Sequence, residues 1–134
     1  MKRNSRLSLA FHTLIHMAAS PEKRLTSADI ADHIGTNPVV VRRVLGKLRL
    51  AGLLISEKGH AGGWKLAKEP ESITLADVYL ALEENLIAAD KSESTSSCAV
   101  EHSLLKHVHD VLDEAERDLV ATFAKTTISE LRTH

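Results

Sequence analysis

The chain has 134 residues, 43% of them hydrophobic, with 17 Lys plus Arg against 18 Asp plus Glu and a net charge of −1. That length suits one compact domain, or one carrying an extension, and a chain of this size buries roughly two-thirds of its unfolded surface, so its core needs no staples. The single cysteine, Cys98, excludes an internal disulfide framework and a CxxC zinc or redox site. No apolar run approaches a membrane span, and the residues after Met1-Lys2-Arg3-Asn4 carry helix periodicity with His12 and His16 among them, so no signal peptide is read there. A cytoplasmic protein with no membrane partner is expected.

The near-zero net charge conceals an asymmetry. Residues 1–68 hold twelve Lys/Arg and four Asp/Glu, a net of +8, while residues 69–134 hold five and fourteen, a net of −9. A basic half that meets a polyanion and an acidic half with another task is the reading of such a split.

Apolar residues Leu7, Phe11, Leu14, Ile15 and Ala18 predict a first helix over 6–19, ended by Ser20-Pro21. Thr26 with Asp29 three residues on is a capping-box pattern for a second, short helix that Gly35 closes. Asn37 as N-cap and Pro38 at the first helical position start a third helix. Its apolar positions Val41, Val44, Leu45 and Leu48 share one face, with Val39, Arg43, Gly46 and Leu50 opposite and Arg42 and Lys47 on the flanks. Helix, tight turn, helix with a basic outer face predicts a helix-turn-helix.

Two short β-prone runs, from Leu53 and from Trp64, then flank the Gly-rich tip Lys58-Gly59-His60-Ala61-Gly62-Gly63. They predict a β-hairpin, placed as the wing of a winged helix. Thr74 and Asp77 form a second capping box, opening a helix to about residue 84. Residues 90–97 are Ser/Thr-rich without an apolar side chain and predict a loop. A long helix over 100–125 follows, its stripe made of Leu104, Val108, Val111, Leu112, Ala115, Leu119 and Phe123, with Asp110, Asp113, Glu114, Glu116 and Asp118 mostly outside it. One stripe beneath an acidic outer face suits a helix packed partly on its own domain and partly on a twin. Thr127 and Glu130 mark a last turn. The fold class is thus mainly α with a small β-hairpin: a winged helix-turn-helix domain over 1–68, and a helical dimerisation and sensing region over 69–134.

The strings Thr36-Asn37-Pro38-Val39-Val40-Val41-Arg42-Arg43-Val44-Leu45, Lys58-Gly59-His60-Ala61-Gly62-Gly63-Trp64-Lys65-Leu66-Ala67 and Ala124-Lys125-Thr126-Thr127-Ile128 together resemble the Rrf-type winged-helix repressors of bacteria. These include the iron–sulfur-cluster regulator, the nitric-oxide-sensing repressor and the cysteine-metabolism repressor. The resemblance spans nearly the whole chain, and its most specific part is the Gly-Gly-aromatic wing. It implies a homodimer crossed through the long C-terminal helix, bound to a pseudo-palindromic operator. The chain departs from the family in carrying Lys58 where Arg is usual and Trp64 where Tyr is usual; Lys lacks the planar fork of Arg. Cluster-binding relatives have three cysteines about six residues apart, whereas Ser92 and Leu104 stand at those distances from Cys98, so no iron–sulfur cofactor is expected.

Candidate DNA contacts follow from the frame. Arg42 and Arg43 suit base edges, since guanidinium reads guanine bidentately, and Val39 and Val40 suit a thymine methyl, Val40 being equally suited to the core. Asn37 sits beside them. Lys47, Lys58 and Lys65 suit phosphates, and His60 a phosphate or the minor groove. Trp64 reads as a packing anchor for the wing. Cys98 has two readings: a small structural hydrophobe, or a thiol switch at a helix N-terminus with His102 one turn away and Glu93 and Glu101 opposing the anion. Within the group Cys98, His102, His107 and His109 no two histidines share the i, i+4 spacing of a helical metal pair, and no metal site is expected.

These features predict a homodimeric DNA-binding transcription regulator, a repressor, with Cys98 as candidate redox switch and a small-molecule effector left open. The alternatives are a ligand- or metal-responsive regulator with a structural Cys98, and a winged-helix protein-interaction module. No nucleophile–base pair, catalytic carboxylate pair or phosphate-binding loop is present, which argues against an enzyme.

Overall fold

The computed structural model describes residues 5–57, 63–83 and 98–131. Lys58 and His60 of the wing tip, and the loop expected over 90–97, lie outside them. Helix α1 (Ser5–Ala19) is followed by α2 (Ser27–Ile34) and α3 (Pro38–Leu50), then strands β1 (Leu54–Glu57) and β2 (Gly63–Leu66). A 3-10 turn at Pro70–Ser72 leads to α4 (Leu75–Leu82), α5 (Ala99–Phe123) and α6 (Ile128–Leu131).

Local chemistry explains the boundaries. At α2 the Thr26 side chain accepts from the Asp29 N–H while the Asp29 carboxylate accepts from the Thr26 N–H, at 3.0 and 3.2 Å. Two donors that the helix itself leaves orphaned are thereby satisfied. Thr74 and Asp77 repeat the device at α4. Gly35, at φ 79°, stops α2 in the left-handed region where a side chain is disfavoured. Asn37 caps α3 by accepting from the Val39 N–H at 2.7 Å, and Pro38 occupies the first turn.

The wing is an antiparallel pair in register from Leu54 opposite Leu66 to Glu57 opposite Gly63. Its second strand has another neighbour, because Leu25 forms an antiparallel bridge to Trp64. The Trp64 N–H donates to the Leu25 carbonyl at 2.8 Å.

One buried cluster unites both segments of the chain. Leu7, Leu14 and Met17 of α1, Ile30 of α2, and Val41, Val44, Leu45 and Leu48 of α3 meet Ile73, Val78, Tyr79, Leu82 and Ile128. The cluster runs across the expected boundary near residue 68. The C-terminal end of α5 joins this cluster: Phe123 meets Phe11 edge-on at 6.1 Å and lies 5.6 Å from Tyr79. Backbone bonds from Leu75 to Thr126 and from Ile128 to Ile73 lock α6 against the start of α4.

Candidate nucleic-acid interface

Helix α3 carries the candidate surface, and its apolar stripe decides which side chains reach it. Val41, Val44, Leu45 and Leu48 are at most 2% exposed, so the opposite side must face solvent. Val39, at 47%, Val40, Arg42, Arg43 and Leu50 lie there. Of the two readings of Val40, the surface one holds. The Arg42 Nε–H points back at the Pro38 carbonyl, 3.4 Å away along the helix. Asn37 is exposed, with its side-chain oxygen already accepting from Val39.

Lys47 is placed differently from the expected exposed phosphate contact. It is half-buried, and its Nζ donates to the Leu82 carbonyl at 3.2 Å. A cation on the last carbonyls of α4 satisfies an orphaned acceptor and complements the helix dipole. Lys47 thereby straps α3 to α4, because the side chain that flanks the outer face of α3 also overhangs the end of its neighbour. Arg6, Val40, Arg43, Val44, Lys47 and Leu82 enclose a surface cavity of about 360 Å³ at this junction, with three cations on its rim.

On the wing, Lys65 lies 3.7 Å from the Glu57 carboxylate, which also holds Arg24 at 2.7 Å. The positive charge of the strands is thus partly matched by Glu57, and Arg24 joins the wing from outside the hairpin. Trp64 is the anchor expected of it: half-buried, it donates its indole N–H to Ser27 Oγ at 3.0 Å, pinning the wing to α2.

Helix α5 divides in two. Its C-terminal part packs on the core through Leu119, Val120 and Phe123. Glu116, expected on the outer face, is instead half-buried and accepts from the Tyr79 hydroxyl at 2.7 Å. The N-terminal part carries an apolar row in solvent: Val100 is 75% exposed, Leu104 59%, Val108 39% and Val111 50%. Leu112 and Ala115 are half-buried between these zones. Cys98 stands at the N-cap position of α5 and is exposed, where its structural reading expected a half-buried side chain.

A cluster absent from the sequence-predicted sites lies between α1 and α2. His12, His16 and His33 bring their ring nitrogens within 4.8 Å of one another. Partial desolvation, then the neighbouring His12 and His33, hold the His16 imidazole below its ordinary pKa. The legible signal was the i, i+4 spacing of His12 and His16, the pair missing among the C-terminal histidines; His33 arrives only through packing.

The comparisons agree with this architecture. Residues 3–134 match the family described as Rrf2, iron-dependent transcriptional regulator. YwnA of Bacillus subtilis, named as an HTH-type transcriptional regulator, is 32% identical over 133 residues, covering 98% of this chain and 97% of its own. A crystal structure described as a DNA-binding protein superposes with a TM-score of 0.75 at 28% identity, covering 94% of this chain and 97% of its own. CymR, described as the global cysteine regulator of B. subtilis, shares the fold with a TM-score of 0.65 at 22% identity, over 98% of this chain and 95% of its own. The family description names iron, and the chain has one cysteine, Cys98, exposed at the N-cap position of α5. No described helix is long and apolar enough to cross a membrane. Matched over almost its full length by a family whose members regulate transcription rather than catalyse reactions, the chain belongs to the Rrf2 family of transcriptional regulators.

Proposed function

We propose that this regulator is a homodimeric repressor that binds a pseudo-palindromic operator through α3 and the wing. The observation that carries the reading is the division of α3 into a fully buried apolar face and an exposed face bearing Val39, Val40, Arg42 and Arg43. Arg42 and Arg43 are assigned to base edges, Val39 and Val40 to thymine methyls, and Asn37 to the edge of the same surface. Lys58, His60 and Lys65 serve phosphates or the minor groove, and Lys47 contributes charge from its position on Leu82. The exposed row Val100, Leu104, Val108 and Val111 is the contact with a second copy. Two copies present recognition helices to half-sites about 34 Å apart, one turn of the duplex.

Cys98 is proposed as the signal input. It is exposed at the N-terminus of a 25-residue helix, where an oxidant can reach it. A change there reaches α3 through two polar joints, Glu116 to Tyr79 and Leu82 to Lys47. A coupling of about 1–3 kcal/mol between oxidation and operator affinity is the expected scale.

The test is fluorescence anisotropy on the DNA upstream of the protein's own gene, with reduced and diamide-treated protein in parallel. Tight binding with a steep negative salt dependence is expected. Arg42→Ala and Arg43→Ala should each lose about 1–3 kcal/mol of operator affinity. Oxidation should weaken the wild type and leave Cys98→Ser unchanged; equal weakening in both excludes the thiol switch. Failure to bind this DNA, followed by failure to enrich any sequence from a random pool, overturns the DNA reading.

A further inference from the structure

His12 and His16 stand one turn apart on α1, and His33 faces them from the last turn of α2. The His16 Nε2 lies 2.9 Å from that of His12 and 3.0 Å from that of His33. The His12 and His16 rings are stacked, with 16° between their planes and 4.7 Å between their centroids. The His33 ring stands at 80° and 83° to the other two. Among the described residues, no other three or more His, Cys, Asp or Glu side chains bring their ligand atoms together in this way.

Hydrogen bonding alone accounts poorly for this arrangement. A ring nitrogen has a single in-plane position and is either donor or acceptor, so the His16 Nε2 cannot make a full hydrogen bond to each neighbour. A cation at the focus uses all three lone pairs at once. Around a tetrahedral ion with bonds of about 2.0–2.1 Å the nitrogens stand about 3.3 Å apart, a small opening from the spacings at His16. The surroundings are suited to a cation. A cavity of about 410 Å³ reaches His16 and His33 and is lined by Thr13 and by Asp29 and Asp32, whose two carboxylates outnumber the one ammonium, Lys23. The Thr13 hydroxyl, 1% exposed as a residue, is buried there without a hydrogen-bond partner.

We propose that His12, His16 and His33 bind one divalent first-row transition ion, with three imidazole ligands and a remaining position for water. Imidazoles at i, i+4 on one helix face the same way and suit zinc and its neighbours, and the third comes from a separate element. The ion would clasp α1 to the first member of the helix-turn-helix pair. The site is independent of the DNA reading and of Cys98, and each can fail without the other.

The experiment titrates the full-length protein with Co²⁺, followed by its visible d–d absorption, and then displaces Co²⁺ with Zn²⁺. One ion per chain is expected, with the absorption of a low-coordinate nitrogen and oxygen site. His12→Ala, His16→Ala and His33→Ala should each weaken binding by more than about tenfold, since loss even of an outer-shell partner costs that much. Cys98→Ser and His102→Ala should bind as the wild type does. Zn²⁺ should raise the Tm of the wild type and not that of His16→Ala, with far-UV circular dichroism showing that the variant is folded. Wild-type affinity in a folded His16→Ala, binding lost in Cys98→Ser or His102→Ala, or no binding by the wild type at micromolar metal would each overturn the proposal.

Discussion

Thr26 and Asp29 illustrate how much a pair of short side chains settles. Each satisfies the other's backbone N–H, and hydrogen bonding by Thr26, through its side chain first and its backbone N–H second, holds the Asp29 carboxyl below its ordinary pKa of 3.8. A carboxyl whose pKa is lowered by folding stabilises the fold above its unfolded value, and that contribution is lost as pH falls through the folded value. Thr26→Ala removes the N-cap side chain and should lower the urea unfolding midpoint at neutral pH. Its deficit relative to the wild type should shrink as urea titrations are repeated at pH values below the ordinary carboxylate range. A deficit that stays constant down to that range would mean the carboxylate is not what stabilises the cap. The residue pairing was legible because the capping box is local; the partner of Lys47 was not, since the Leu82 carbonyl lies 35 positions away.

At the scale of elements, the wing depends on contacts the hairpin pattern does not contain. Strand β2 lies between β1 and the extended Leu25, and a Cβ added at Gly63 would sit 2.9 Å from the Leu25 carbonyl oxygen. Backbone occupies that space and cannot swing aside. Gly63→Ala should cost about 1–3 kcal/mol in urea unfolding, as overpacking does. A loss of operator affinity larger than this destabilisation explains should accompany it, since the wing is displaced. Gly46 supplies the contrast: nothing lies within 4 Å of its added Cβ, and it sits within α3. Gly46→Ala should stabilise the protein by up to about 1 kcal/mol. Thermal and urea unfolding of both variants checks the pair, and a stable Gly63→Ala would show that Leu25 can move.

For the whole molecule, the long helix is the element that leaves an apolar face in solvent. Val100, Leu104, Val108 and Val111 expose one continuous apolar row, while the other end of α5 is held on the core by Leu119, Val120 and Phe123. A row of this kind suits a partner helix better than water. Val108→Glu combined with Val111→Glu should give a folded monomer in sedimentation velocity, with unchanged far-UV circular dichroism and operator affinity lowered together with the half-site pairing. A dimer that survives both charges would place the interface elsewhere. The single stripe read along α5 was correct as a spacing. It joined two surfaces with different fates, because periodicity reports which side is apolar and not what covers it.

By itself the sequence determined the helices, the capping boxes at Thr26 and Thr74, the turn between α2 and α3, the buried stripe of α3 and the paired strands of the wing. All of these follow from interactions within a few residues, where propensity, caps and side-chain period act directly. Tertiary packing alone decided that Glu116 meets Tyr79, that Lys47 closes the end of α4, that Trp64 reaches Ser27, and that His33 completes a triad with His12 and His16. These partners are distant along the chain and are brought together only when the apolar faces of separate helices share one core. No spacing rule in the sequence encodes that arrangement.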